Sequence, residues 1–172
     1  MRPENEAKLN KIKKVSVVLR FACKGLLGLV TLAGVGAIAC VTLGIGGINF
    51  DGMIFQTGGL SLGHRLVLGV ITTVAWVVLF KCLFHLHRLF GNYSHGEILT
   101  RYSVGQLRQF GIGCVLWGVM GFLWVLSLAL STHPAKTFAG NGDALVIGAV
   151  IIVIAWFMDV AVDLREENDL TI

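Results

Sequence analysis

The chain has 172 residues, of which 55% are hydrophobic and 14% are charged, and its formal net charge is +4. A soluble domain carries roughly 25% charged residues, and one of this size has too much surface to hide such an apolar excess. The composition therefore excludes an ordinary water-soluble domain and predicts a single domain whose main partner is the lipid bilayer.

Four apolar stretches approach the length of about 20 residues that a membrane-spanning helix needs. They cover residues 25–48, 66–90, 110–131 and 144–162. Both prolines, Pro3 and Pro134, lie outside these stretches, so the sequence does not oblige any of the helices to break. We predict an all-α integral membrane protein, a bundle of four transmembrane helices within one domain.

The placement of basic residues predicts the orientation of this bundle. Seven basic residues precede the first span, and Arg88, Arg101 and Arg108 lie at or between the ends of the second and third spans. The connections after the first and third spans contain only Arg65 and Lys136. Because basic residues in short loops stay in the cytosol, we expect both termini inside. Segment 91–109 would then be a cytoplasmic connection and segment 163–172 an acidic cytoplasmic tail.

Glycine is abundant, with 22 residues, and many of them fall in the first and third spans. Small residues let helices approach closely in lipid, where the hydrophobic effect between helices is weak. Ala33 and Ala37 form a small-xxx-small pair in the first span, as do Gly36 and Cys40. The pattern is typical of a tight bundle or of a homo-oligomer and does not choose between them.

Two ionisable residues interrupt the apolar stretches: Lys81 in the second and Asp159 in the fourth. An ionisable group within the membrane is a candidate for function. We interpret the two as an intramembrane ion pair with a structural role, because the outer halves of the spans contain few polar groups to continue a relay. The alternative is a small transporter or channel subunit that uses Asp159 and Lys81.

The four cysteines and five histidines form no recognisable metal-binding spacing. Cys82 and His85 share a helical face but supply only two ligands, whereas structural zinc takes four. Motifs of hydrolases, zinc proteases and phosphate-binding loops are absent from the sequence. We therefore predict no cofactor, no metal and no enzymatic activity, with a haem- or metal-carrying bundle as a further alternative.

The connection between the second and third spans is the most structured polar part of the chain. The segment GNYSHGE predicts a turn from Gly91, Asn92 and Gly96. Thr100 has the position of an N-cap for the helix that leads into the third span. Along that helix Leu107 and Arg108 can lie at the interface, with the guanidinium toward lipid phosphates.

Two stretches resemble a family of small four-span bacterial membrane proteins, domain of unknown function 2975. The first, LFGNYSHGEILTRYSVGQLRQFG, covers 89–111 and matches the family's helix end, Asn, Gly-Glu, Thr cap and Leu-Arg. The second, LREENDLTI, covers 164–172 and matches its closing motif. The residues that we assign to this cytoplasmic motif are Asn92, Gly96, Glu97, Thr100, Leu107, Arg108, Glu166, Glu167, Asn168 and Asp169.

The resemblance implies no activity, but it implies a partner. Members of the family are often encoded beside a small helix-turn-helix regulator. We therefore expect a non-enzymatic protein of the bacterial inner (cytoplasmic) membrane, a sensor, anchor or antagonist of such a regulator that does not itself contact nucleic acid. The acidic residues of 166–169 can pair with Arg88, Arg101 or Arg108 to join both motif segments; a disordered, solubilising tail is the alternative.

Overall fold

The structure of the protein is a computed structural model that describes residues 3–44, 47–50, 53–56, 61–96, 100–130 and 142–170. Within these ranges the chain forms four α-helices and one β-hairpin. The elements are α1 (Pro3–Leu43), β1 (Gly47–Phe50), β2 (Met53–Gln56), α2 (Leu62–His95), α3 (Arg101–Leu130) and α4 (Gly142–Leu170). Each of the four helices is long and apolar enough to cross a membrane, which confirms the predicted four-helix membrane domain.

The helices are longer than the predicted spans, but the predicted end of the first span at residue 48 is wrong, because α1 ends at Leu43, Gly44 has φ 66° and β1 begins at Gly47. The helices contain 41, 34, 30 and 29 residues, and at about 1.5 Å per residue even the shortest exceeds a hydrocarbon core of about 30 Å. Most of the added length lies at one end of the molecule, because α1 begins at Pro3 and α4 continues to Leu170. Residues 163–170 are therefore helical, unlike the disordered tail considered as an alternative.

The turn between α2 and α3 lies further along the chain than its sequence predicts. The prediction is wrong for Gly91 and Asn92, which continue α2, and right for Gly96, which ends the helix with φ 89°. The Gly96 N–H donates to the carbonyls of Asn92 and Tyr93. Packing of this last turn between α1 and α3 outweighs the local turn preference of Gly91 and Asn92.

The predicted helix cap at Thr100 is confirmed. The backbone N–H of Ser103 donates to Thr100 Oγ1 at 3.2 Å, and the N–H of Val104 donates to the Thr100 carbonyl at 3.1 Å. A hydroxyl that accepts from the third residue of the first turn satisfies a donor that has no partner within the helix. The sharp start of α3 follows from this contact.

The loop after α1 contains the hairpin, which was not among the predicted elements. β1 and β2 are antiparallel, with Gly47 opposite Gln56 and Phe50 opposite Met53. In the sequence they are separated by Asp51 and Gly52, a dipeptide typical of two-residue hairpin loops. The sequence therefore contained a readable signal for this hairpin.

The helices pack in chain order: α1 against α2, α2 against α3, and α3 against α4. Within the described ranges no extensive contact joins α1 to α4. The buried clusters are small and lie between neighbours. One contains Val41 and Leu68 with Trp124 beside them, and the other contains Val104, Ala155 and Val162. The four helices therefore form an open row, with α1 and α4 at its two ends.

Glycine permits a close contact between α3 and α4. A Cβ on Gly148 would lie 2.8 Å from the Gly111 carbonyl and 2.8 Å from the backbone nitrogen of Val115. In the first span, by contrast, a Cβ on Gly25, Gly28 or Gly36 would meet nothing within 4 Å. These three glycines of α1 thus leave open space beside the helix, whereas Gly111 and Gly148 are used in the contact between α3 and α4.

Candidate functional site

Most of the charged side chains in the described part of the chain lie at one end of the row, which we call the charged end. It comprises helix segments 10–24, 81–96, 100–111 and 159–168. Contacts between neighbouring helices hold these segments together. The Nδ1–H of His87 donates to the Arg20 carbonyl at 3.3 Å, and the Nδ1–H of His85 donates to Oε1 of Gln106 at 2.7 Å. The fold thus brings both segments of the family-like motif to the same end.

Arg101, the first residue of α3, binds two carboxylates of α4. Its Nε donates to Glu166 Oε1 at 3.0 Å, and its Nη2 donates to Glu166 Oε2 at 2.7 Å. The same Nη2 donates to Asp163 Oδ1 at 2.9 Å. Asp163 and Glu166 are three residues apart and hence share one helical face. One guanidinium therefore fixes the charged end of α4 to the start of α3.

This ion pair is exposed, since more than half of each of the three side chains is accessible to solvent. The hydrogen bonds and charge of Arg101 lower the pKa of the Glu166 carboxyl below its ordinary value of 4.5. Asp159, one helical turn before Asp163 in α4, also interacts electrostatically with Arg101. Exposed ion pairs contribute little to global stability. The pair is thus suited to hold a helix end in place reversibly.

A second polar cluster joins α2 to α3 in a buried position. Asn92 Nδ2 donates to Ser103 Oγ at 3.5 Å, and Thr100 Oγ1 donates to the same oxygen at 3.0 Å. Ser103 is fully buried and Gln106, the partner of His85, is nearly so. Buried polar groups with partners specify one arrangement of the helices around them. The packing of α2 against α3 next to the Arg101 ion pair is therefore well defined.

The structure brings some of the predicted motif residues into contact with other side chains and leaves others exposed. Asn92 and Thr100 meet at Ser103, and Gly96 has the left-handed conformation, with Lys13 Cε only 2.8 Å from where its Cβ would be. Leu107 packs against the Val104 cluster, whereas Arg108 is exposed. Glu166 binds Arg101, which is one of the pairings that the sequence suggested. Of the other motif residues, Glu167 and Asn168 are exposed, and Glu97 and the Asp169 side chain lie outside the described residues.

The structure does not bring Lys81 and Asp159 together. Lys81 is exposed on α2, and Asp159 is half-buried on α4, and α3 separates these two helices. In the described part of the chain the salt bridges of this region join Arg101 to Asp163 and Glu166, and none joins Lys81 to Asp159. The acid of the predicted pair, Asp159, instead interacts electrostatically with Arg101.

Sequence reasoning missed several contacts at this end. Asp163 was not in the predicted motif, although its spacing to Glu166 was a readable signal. Cys82 and Cys114, on α2 and α3, have their sulfurs 3.8 Å apart, which spacing along the sequence cannot reveal. Among the described residues no three His, Cys, Asp or Glu side chains meet as a metal site would require. The contacts that the structure shows at the charged end are ion pairs and hydrogen bonds.

Comparison with known proteins gives a family match. A family model described as "Protein of unknown function (DUF2975)" matches residues 5–172. No curated protein and no solved structure gives a match. The matched range includes α2, α3 and α4, all of α1 except its first two residues, and both segments of the family-like motif.

Proposed function

This chain belongs to the DUF2975 family, and we propose that it is a non-enzymatic membrane partner of a cytosolic helix-turn-helix regulator. It is a multi-pass membrane protein with four spanning helices. In this proposal the charged end receives the regulator and holds it at the membrane, as an anchor or antagonist, and releases it in response to a signal, as a sensor. The regulator is suggested by the gene neighbourhood that the family resemblance implies.

The proposal places the charged end in the cytosol of a bacterium, at the inner membrane. Its support is the distribution of basic residues, since seven precede the first predicted span and the opposite loops contain only Arg65 and Lys136. Basic residues near the ends of spans are retained inside during insertion. Both chain termini and both motif segments would then be accessible to a soluble cytosolic partner.

The observation that carries the proposal is the fixed acidic end of α4. Residues 159–169 contain five acids and the single base Arg165, and Arg101 holds this segment against α3 through Asp163 and Glu166. Helix-turn-helix proteins bind DNA phosphates with basic surfaces. An ordered acidic helix end is complementary to such a surface. Binding there would compete with DNA, which is what an antagonist does.

The direct test uses a helix-turn-helix regulator of the kind that the family resemblance implies and the membrane protein in lipid nanodiscs. The retention of the regulator is measured for the full chain, for residues 1–162 and for Arg101→Gln. Asp143→Asn is the matched control, because it removes an acid from the first turn of α4 at the opposite end. We expect strong loss of binding for residues 1–162, partial loss for Arg101→Gln and none for Asp143→Asn.

A second readout separates recruitment from antagonism. Operator DNA is titrated into the nanodisc-bound regulator, and release of the regulator is measured. Antagonism predicts that DNA and the acidic end exclude each other, whereas simple anchoring predicts a ternary complex. If residues 1–162 retain the regulator as well as the full chain does, the acidic end is not the docking site and the proposal is wrong.

A further inference from the structure

We propose that two copies of this chain associate in the membrane by packing α1 of each copy against α4 of the other. This closes the open row of helices into a ring of two chains and goes beyond the proposed function, although the acidic end of α4 takes part in both. The starting observation is the pairwise packing in chain order, which leaves α1 and α4 each with one helix neighbour in the described structure. Their outer faces are therefore available to a second copy.

The outer face of α1 is opposite the side that packs on α2. The inner side is marked by Ser16, Cys23 and Val41, all buried. The opposite side of α1 contains residues at spacings of four, three and four, namely Lys14, Val18, Phe21 and Gly25. Val18 and Phe21 are 68% and 70% exposed, and Gly25 has open space where a Cβ would be. The face thus combines bulky apolar groups with a glycine that permits close approach.

The outer face of α4 has the same spacing. Its inner side is marked by Ala155 and Val162, which are buried against α3. On the opposite side the residues recur at spacings of three and four, and all have large apolar side chains that are exposed. They are Val150, Val153, Phe157, Val160 and Leu164. Such spacing lets one helix pack its ridges against another over several turns.

The two faces lie at matching levels. On α3, Gln106 is midway between Arg101, which binds Asp163, and Gly111, which lies against Ile151. Phe157 is midway between Asp163 and Ile151 on α4 and is hence level with Gln106. Gln106 binds His85 of α2, and His87 of α2 binds the carbonyl of Arg20. Phe157 is therefore level with Phe21, which is next to Arg20 on α1.

In the placement of the spans predicted from the sequence, the hydrocarbon core does not cover the whole of the α1 face. The first predicted span begins at residue 25, so Val18 lies about 10 Å outside it at about 1.5 Å per residue. Exposed apolar groups at that height face headgroups and water, and such surfaces mark interaction sites. On α4, Leu164 lies beyond the predicted span in the same way and is also exposed. A protein partner accounts for both extensions.

Charge complementarity selects α4 as the partner of α1. The segment 10–24 of α1 contains five basic residues and no acid. The segment 159–169 of α4 contains five acids and one base, and it stays net negative when Arg101 of the same chain binds Asp163 and Glu166. Two α1 helices would bring like charges together, whereas α1 against α4 brings opposite charges together and runs the helices antiparallel, as in the pairs within the chain. Electrostatic matching of this kind gives specificity in association.

The test replaces Phe157 by the photo-crosslinking residue p-benzoylphenylalanine in one tagged copy and co-expresses it with a differently tagged unmodified copy. Irradiation of native membranes should give a two-tag dimer, with the crosslink mapped by mass spectrometry to residues 14–25 of the other copy. The control is the same replacement at Phe122 of α3, which is 53% exposed and has a similar apolar setting. We expect at least about tenfold less dimer from position 122. The reciprocal probe at Phe21 should crosslink to residues 150–164.

Charge reversal gives an independent arm. The double substitution Lys11→Glu and Lys14→Glu should lower the crosslink yield severalfold, and Lys24→Glu, on a different side of α1, should leave it unchanged. Crosslinks from position 157 to α4 of the other copy, from position 21 to α1 of the other copy, or the absence of two-tag dimers from both probes would overturn the proposal. Regulator binding is measured on the same variants, so that failure of association is distinguished from failure of the proposed function.

Discussion

Arg101 of α3 holds Glu166 of α4 with two donor atoms, Nε at 3.0 Å from Oε1 and Nη2 at 2.7 Å from Oε2. A guanidinium that binds a carboxylate in this two-point manner fixes its orientation as well as its distance. Because Arg101 is the first residue of its helix and Glu166 is near the end of the other, the contact orders both ends at once. The acidic segment is thus part of the folded domain.

Removing this contact should loosen the end of α4 without unfolding the protein. We expect Arg101→Gln to increase amide hydrogen exchange of residues 163–168 a few-fold, while exchange in residues 144–160 stays unchanged. Both are measured in nanodiscs by mass spectrometry. Arg101→Lys keeps the charge but not the two-point geometry, so its exchange should be intermediate. Equal exchange in all three proteins would show that Arg101 does not order this segment.

The same contact predicts how Glu166 titrates. Arg101 lowers the pKa of Glu166 below the ordinary value of 4.5, so the folded state binds this proton less readily than the unfolded state does. The stabilising contact is fully present above pH 4.5 and is lost as the pH falls through the lowered pKa. Asp159 and Asp163 also face Arg101 and compete for its charge.

The measurement is a titration of carbon-13-labelled glutamate by NMR, with Glu166→Gln to assign the signal. We expect the Glu166 pKa to rise toward its ordinary value in Arg101→Gln. A signal that titrates at the same pH in the parent protein and in Arg101→Gln would contradict the ion pair.

The glycine contact between α3 and α4 predicts that two glycine-to-alanine substitutions have different effects on stability. Gly148→Ala places a methyl group 2.8 Å from the Gly111 carbonyl, and we expect a loss of about 1–3 kcal/mol in stability, as for overpacked cores. Gly105→Ala, on α3, meets nothing within 4 Å and gains helix propensity, so it should be neutral or stabilising by up to about 1 kcal/mol. Thermal unfolding in detergent measures both. Equal melting temperatures would show that the helices are not so close.

A double-mutant cycle tests whether Lys81 and Asp159 interact. Because the structure keeps them on helices separated by α3, the effects of Lys81→Met and Asp159→Asn on unfolding should add to within about 0.5 kcal/mol. A coupling energy clearly above that value would support the structural ion pair predicted from the sequence. Normal folding with lost ion flux in a vesicle assay would instead favour the transport alternative.

The sequence alone predicted the features that depend on composition and short spacing. The four helices follow from apolar length, and the start of α3 follows from the hydroxyl of Thr100, which can act only locally. The stop of α2 was misplaced because Gly91 and Asn92 favour turns in isolation, whereas in the protein they lie between two other helices. Packing against these neighbouring helices decides that both residues continue α2, and the pattern of a single sequence does not contain that information.

The partners of charged residues were predicted less well for the same reason. Lys81 and Asp159 were paired because both are charged and at similar predicted depth, but depth does not determine which helices are neighbours. Arg101 and Glu166 were one of several combinations between the acidic and basic segments. Only the packing order of the helices, with α3 beside α4, selects that combination.

The orientation of the charged end is tested most directly by thiol labelling in intact cells. The four native cysteines are replaced by alanine, and a single cysteine is introduced at Asn168 or at Thr57. We expect a non-permeant maleimide to label position 57 in intact cells and position 168 only after the inner membrane is permeabilised. Labelling of position 168 in intact cells would place the acidic end outside the cytosol and contradict the proposed role in binding a cytosolic regulator.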